Sequence, residues 1–295
     1  MTLAKVVMLG VGNTALALAS LYKGGISLYG TTRSAAKAGA LPDLGIQPLL
    51  DAGESSSSED SEAFLAKLSE VAAGALVLVS YPPDGLGGAA AGGGDTVGFS
   101  DRRYSPALKA ANKIVYISST GVYGKASGII DEKTICVGDA HSVPRLAAEI
   151  FWRGQGACVL RAPGLYGPQT GLHQRLLAGT YRLPGDGSNY VSRIHLDDLA
   201  QVIDAAFRLA APGSLYVVGD LKPCSHIEAV TWLCNLLNLP LPPSVPLEVV
   251  APSLRGNRQI DSSCMRSQLQ VALRYPTYIE GFSQCLGRKP QKAPG

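Results

Sequence analysis

From the N-terminus to Gly164, short apolar runs alternate with longer mixed stretches, the rhythm of buried strands joined by helices. Lys5–Leu9 (KVVML) ends at a glycine, and Ala15–Leu21 continues with helix-forming residues. Ile26–Tyr29, Ala75–Ser80 (ALVLVS), Lys113–Ser118 (KIVYIS) and Cys158–Arg161 repeat the strand pattern. Strands that are apolar throughout and separated by longer mixed stretches predict β-α-β crossovers and a parallel sheet buried on both faces. Past Gly164 proline and glycine become frequent. A helix is predicted over Leu196–Leu209, a strand over Leu215–Val218 and a helix over Ile227–Leu237, followed by the proline-rich LPLPPSVP of 239–246.

Two low-complexity stretches interrupt the first region. Glu54–Glu62 (ESSSSEDSE) is expected to be a solvated loop that caps the following helix. Asp84–Asp95 carries six glycines, too many for stable regular structure, and reads as a loose surface loop or a lid.

With 295 residues, of which 46% are hydrophobic and 17% charged, the chain has ample core for one large α/β domain or two small ones. The net charge of +3 is spread along the chain with no Lys/Arg block, so no nucleic-acid partner is expected. Nor does any apolar run approach the ~20 residues of a membrane span. The six cysteines form no C-x-x-C pair and read as reduced thiols. No metal site is expected, Cys224-Ser225-His226 lacking further ligands. The apolar N-terminus loosely imitates a signal peptide, but Gly10, Gly12, Asn13 and Thr14 interrupt it, and a cytoplasmic location is expected.

Those interruptions carry chemistry. Gly10-Val11-Gly12-Asn13-Thr14-Ala15 is G-x-G-x-x-A between a strand and a helix. The first glycine permits the tight turn, the second admits a pyrophosphate against the backbone, and the helix N-terminus faces its charge. A Rossmann-type doubly wound α/β fold follows. At the end of the second strand an NAD site places a carboxylate for the ribose; this chain has Thr32, Arg33 and Ser34 instead. Arg33 can pair with a 2′-phosphate, so the expected cofactor is NADP.

Three further segments resemble the extended short-chain dehydrogenases/reductases of the NAD-dependent epimerase/dehydratase type. Ser118-Ser119-Thr120-Gly121-Val122-Tyr123-Gly124 is similar to their S-S-x-x-V-Y-G. Leu160 to Pro168 is similar to L-R-x-x-x-x-Y-G-P, and Ile194-His195-Leu196-Asp197-Asp198-Leu199-Ala200 to I-H-V-D-D-(L/V)-A. The resemblance implies an NADP-binding domain over 1–165, with 190–219 returning to it, and a small substrate lobe over 166–189 and 220–295. It implies cofactor contacts from Ser80, Pro82, Ser118, Pro163 and Gly164, and substrate contacts from Thr120 and Arg193. Tyr123, Tyr166 and His195 read as packed residues of these motifs, and Asp197 and Asp198 as caps of the helix that follows.

The family's catalytic Tyr-x-x-x-Lys is missing. The aligned positions are His141 and Arg145, as in the atypical members of the group. Histidine is a competent acid/base, but Pro144 favours a helix beginning after His141, which loses the i, i+4 stacking; arginine retains charge but does not deprotonate. Ser119 matches the substrate-orienting serine, and Tyr81 is either a replacement acid or cofactor packing. Val191 stands where nucleotide-sugar epimerases carry a diphosphate-gripping arginine. The expected function is therefore an NADP-binding oxidoreductase acting on a small carbonyl or alcohol. The alternatives are a nucleotide-sugar epimerase/dehydratase and a non-catalytic NADP-binding sensor or scaffold. A small-molecule substrate and a homodimer are the expected partners.

Overall fold

The structure is a computed structural model that describes residues 5–51, 57–83, 98–137 and 142–289. Its main sheet has seven strands: β1 (Lys5–Leu9), β2 (Ser27–Thr32), β3 (Ile46–Leu50), β4 (Leu76–Val79), β5 (Lys113–Ser119), β6 (Cys158–Ala162) and β7 (Leu215–Val217). Their order is β7-β6-β5-β4-β1-β2-β3, and the registered pairs β1–β2, β2–β3, β1–β4 and β4–β5 are parallel. The chain winds outward from β1 to β3, then returns to place β4 on the other side of β1. That reversal opens a crevice outside the carboxyl ends of β1 and β4, where doubly wound sheets bind ligands.

The apolar strands are buried on both faces. Val7, Leu9, Val77 and Val79 meet Phe64 and Leu68 of helix α3 (Ser58–Ala72) and Trp152 of helix α5 (Val143–Gly154), while Val6, Met8, Leu78 and Val115 are buried as well. Each such side chain stabilises the fold by about 1.5–3 kcal/mol relative to exposure.

Two departures from the sequence reading have local causes. The sequence pattern predicts no strand at Ile46–Leu50, because Gln47 and Pro48 interrupt it. β3 is the edge of the sheet, where a proline without an amide proton is tolerated. The acidic serine run is not all loop. Helix α3 begins inside it at Ser58, with Ser57 Oγ accepting from the Asp60 N–H at 3.1 Å and Glu59 and Asp60 in the first turn. The glycine-rich stretch of 84–95 lies outside the described residues.

Contacts group the chain into two units: Met1–Ser118 with Val143–Leu160 and Ala200–Leu215, and Ser119–Ser142 with Arg161–Leu199 and Tyr216–Gly295. The second has its own aromatic core, in which Tyr166 packs on Phe282 (4.4 Å between centroids) and Trp232 on Tyr278 (5.6 Å). Among the described residues no helix is long and apolar enough to cross a membrane. No two cysteines form a disulfide.

Candidate functional site

The first unit holds a crevice of about 330 Å³ at the reversal point. Gly10, Gly12, Thr32, Arg33, Ser34, Ser80, Tyr81 and Pro82 line it, so three separate sequence segments meet there. Gly10 has φ +86°, and a Cβ on it would stand 3.0 Å from the Tyr81 Cβ; glycine is needed for both reasons. Its N–H donates to Thr31 Oγ1 (2.9 Å), and its carbonyl accepts from Ser80 Oγ (2.9 Å). Ser80 therefore braces the loop in addition to lining the crevice.

Gly12 is different. A Cβ there would meet nothing within 4 Å, so the space above the loop is open for a ligand. Helix α1 (Asn13–Leu21) starts immediately after, with no side-chain cap and no acid in its first turn. Its first N–H groups and the positive end of its dipole are thereby left for an anion. Asn13 is exposed and Thr14 buried in that first turn.

At the end of β2, Thr32 Oγ1 accepts from the Ser34 N–H (3.1 Å), and Ser34 caps helix α2 (Ala35–Ala40) by accepting from the Lys37 N–H (3.3 Å). Each hydroxyl keeps its proton for donation. Arg33 and Lys37 are both exposed and line the crevice; among the described residues neither is in a salt bridge. Asp51, just past β3, is the lining carboxylate, and it is neutralised from behind: Arg103 Nη1 lies at 2.6 Å, and the Tyr104 hydroxyl donates to it. Burial and that bond push the Tyr104 phenol well above its ordinary range.

Tyr81 is occupied. Its hydroxyl donates to Asp101 (2.8 Å), which also accepts from the Trp152 indole (2.7 Å). Burial, then the Asp101 charge, raise the Tyr81 phenol far above its usual value. Helix α5 begins at Val143 with Pro144 in its first turn, so Arg145 is its third residue, close enough for its charge to act on the buried Tyr116 phenol. His141 lies outside the described residues. Ser118 is buried and lines neither pocket.

In the second unit, Ser119, Thr120, Pro163 and Gly164 line a pocket of about 250 Å³. Pro163 and Gly164, expected at the cofactor, thus stand in this pocket with the substrate candidates. Ser119 Oγ accepts from the Gly121 N–H (3.1 Å), leaving its proton to donate. Arg193 does not line the pocket: it is buried, and its Nη1 contacts the Val191 carbonyl (3.4 Å) and Cys224 Sγ (3.2 Å). His195 is wholly buried, accepts from the Asp197 N–H at Nδ1 (3.1 Å) and packs on Tyr275; burial lowers its pKa. Asp198, at the start of the helix that follows, accepts from the Arg274 and Tyr275 amides (2.6 and 3.0 Å) and ties the C-terminal segment down.

The sequence reading missed Lys37, Thr31, Asp51 and Tyr104 in the crevice and Arg175, Tyr190, Ser253 and Arg258 in the pocket. Lys37 had a signal, standing four residues after Arg33 in a stretch of helix-forming alanines; the others had none.

No protein-family model matches the chain. The 3-diazoavenalumate denitrifying reductase of a Streptomyces species is 35% identical over 104 residues, which are 33% of this chain and 34% of that protein; the match spans about a third of that curated relative's length. Among solved structures, a functionally unknown conserved protein from Silicibacter pomeroyi DSS superposes with a TM-score of 0.78 at 27% identity, covering 98% of this chain and 100% of that one. A protein described as a putative NAD-dependent epimerase/dehydratase from Methylobacillus flagellatus gives 0.70 at 24% identity, covering 97% and 98%. MoeE5, in complex with UDP-glucose and NAD, gives 0.76 at 18%, covering 96% and 98%. The chain shares the fold of these structures, and its motifs resemble, in order, those of the extended short-chain dehydrogenases/reductases. Set against that family's pattern, it departs at His141 and Arg145, where the tyrosine and lysine stand in the family, and at Val191.

Proposed function

We propose that the protein is an NADP(H)-dependent oxidoreductase that reduces a small carbonyl compound or oxidises the corresponding alcohol. The observation that carries the cofactor choice is the pair of cations at the crevice, Arg33 and Lys37, with no unpaired acid among the described lining residues. The lining carboxylate, Asp51, is bound by Arg103 and Tyr104. A 2′-phosphate brings up to two negative charges to such a place, and Arg33 can meet it with two parallel hydrogen bonds. The residues fit the rest of a dinucleotide: Gly10 makes the tight turn, Gly12 leaves backbone-level room for the pyrophosphate, and the uncapped start of α1 supplies free N–H groups for its charge. MoeE5, solved with NAD, and a curated relative named as a reductase support the coarser part of this reading, a nicotinamide dinucleotide and redox chemistry.

When bound, the nicotinamide supplies hydride chemistry. The protein's part is orientation and electrostatics. Ser119 holds its oxygen against the Gly121 amide and has a proton to give to a carbonyl oxygen as negative charge develops there. Tyr81 does not serve as acid in this scheme, because its hydroxyl is engaged in donating a hydrogen bond to Asp101 and its pKa is high. The missing Tyr-x-x-x-Lys pair favours a second reading, an NADP-binding sensor that binds the dinucleotide without turnover.

Titration calorimetry with NADPH and NADH tests the proposal. NADPH should bind at least ~10-fold more tightly, about 1.4 kcal/mol, and Arg33→Ala should remove that margin while sparing NADH. Equal affinities in the unmutated protein would overturn the cofactor assignment.

A further inference from the structure

We propose that Arg103 sets which dinucleotide the crevice prefers, by compensating the carboxylate of Asp51, which in its absence repels a 2′-phosphate and competes for Arg33. The inference deepens the NADP(H) reading and rests on it for the ligand, though not for the geometry.

The acid that an NAD site places at the end of the second strand is displaced by one strand in this crevice. Thr32 pairs with Leu50 in the β2–β3 register, and the Asp51 N–H donates to the Thr32 carbonyl at 2.9 Å. Asp51 is thereby a backbone neighbour of Thr32 and Arg33, and it lines the same crevice as Arg33 and Lys37. An ionised carboxylate in that wall acts on a 2′-phosphate twice. It repels the phosphate charge, and it offers the Arg33 guanidinium a rival partner. A free ribose hydroxyl suffers neither effect, since it can donate to a carboxylate.

Arg103 meets the acid from outside the crevice. It belongs to helix α4 (Phe99–Tyr104) and is not among the residues that line the cavity. Its Nη1 lies 2.6 Å from Asp51 Oδ2, and its Nη2 donates to Ser61 Oγ at 3.1 Å. The guanidinium carbon is 5.2 Å from the centroid of the Phe64 ring and 5.5 Å from that of Tyr104, close enough for both rings to steady the cation. The Arg103 and Asp51 side chains are 8% and 2% exposed, so salt and water screen the pair little. The Tyr104 hydroxyl donates to the same carboxylate oxygen. Burial, then the bond to Asp51, raise the Tyr104 phenol, while the charges of Arg103 and Arg33 pull it down. Arg33 is therefore within electrostatic reach of the group that holds Asp51.

The cations divide the work. Arg103, bonded through two nitrogens and packed against rings, cannot turn to a ligand without breaking both contacts. Arg33 and Lys37 are exposed and, among the described residues, in no salt bridge, so they remain for the phosphate. Arg103 is a positioning residue that acts on the cofactor through Asp51.

Calorimetry on the full chain with NADPH and NADH tests this on four proteins: the unmutated chain, Arg103→Met, Asp51→Asn and the double variant. The readout is the ratio of the two dissociation constants, because a general loss of packing weakens both ligands alike. Arg103→Met should shift that ratio toward NADH by at least ~10-fold. Adding Asp51→Asn should return it to within about threefold of its starting value, since the repelling charge is gone. Asp51→Asn alone should not move it toward NADH. If Arg103→Met shows no cooperative thermal transition, Arg103→Gln keeps donors toward Asp51 and Ser61 without the charge, and should shift the ratio in the same direction. A ratio unchanged in the folded Arg103 variants, a shift that persists in the double variant, or an Asp51→Asn variant that itself turns toward NADH would overturn the proposal. An unmutated ratio near one counts against the NADP reading alone; the change in ratio across the four proteins still decides this one. An NADPH preference that Arg33→Ala removes and Arg103→Met leaves intact keeps the NADP reading and ends this one.

Discussion

The crevice of the first unit is assembled from chain ends that lie where parallel strands stop: Gly10 and Gly12 after β1, Thr32 to Ser34 at the close of β2, Ser80 to Pro82 after β4. The pocket of the second unit takes residues from five stretches between Ser119 and Ile260, and its two cations come from a short helix and a two-stranded pairing. Their buried acids differ as well. Asp51 in the crevice wall has Arg103 at 2.6 Å and the Tyr104 hydroxyl, which together compensate its charge. Asp220 in the second unit accepts from the Lys222 N–H (3.2 Å) through one oxygen, while the other is buried without a hydrogen-bond partner among the described residues. A strand-end crevice repeats wherever the sheet topology repeats, so its chemistry can be compensated by residues of the same scaffold. A pocket collected from loops depends on each long-range contact separately.

That contrast is open to attack at several points. The largest effect should come from Gly12→Val. No described residue lies within 4 Å of a Cβ at this position, so the variant should fold normally, and only a ligand at the loop would be displaced. Dinucleotide affinity should fall by more than ~10²-fold with an unchanged melting temperature. Normal NADPH binding by the folded variant in calorimetry would remove the loop from the phosphate site.

Next comes Ser119→Ala, which deletes the hydroxyl proposed to donate to the substrate oxygen. Turnover of an accepted aldehyde should drop by ~10²-fold in kcat with little change in KM, the scale of losing one preorganised bond to developing oxygen charge. A loss confined to KM would make Ser119 a binding residue only.

The smallest effect concerns stability. Burial pushes the Asp220 carboxyl up to about 7, with the Arg193 charge pulling the other way. In the unfolded chain a carboxyl of this kind titrates near ~4. Because the folded value is raised, the native state holds a proton that the unfolded chain releases. Its contribution is full below about pH 4 and is lost as pH rises through about 7. Asp220→Asn keeps an acceptor for Lys222 and cannot ionise, so its melting temperature should exceed that of the unmutated protein at pH 8 by roughly 5 °C and match it near pH 4. Parallel pH profiles for the two proteins would show that the acid is compensated after all.

The same contrast explains which parts of the molecule could be anticipated. Lys5–Leu9 and Leu196–Leu209 begin and end in the structure where their apolar pattern begins and ends. β3 was hidden because Pro48 breaks the pattern, and its place at the sheet edge, which makes the proline harmless, is a property of neighbours it does not adjoin in sequence. The start of α3 was hidden because serine and acidic residues suit both loops and helix N-termini; the Ser57 cap decides between them.

By itself the chain already determined the doubly wound fold, the glycine turn at Gly10–Gly12 and the cationic end of β2. Each of these is written in contiguous residues, as strand period, turn chemistry or the absence of a carboxylate. The tertiary structure alone decided that Tyr81 is bound to Asp101, that Asp51 is neutralised by Arg103, that Arg193 turns inward, and that Arg258 lies over Gly256 beside Gly124. These are contacts between residues far apart in sequence, set by packing and charge compensation, and no local spacing encodes them.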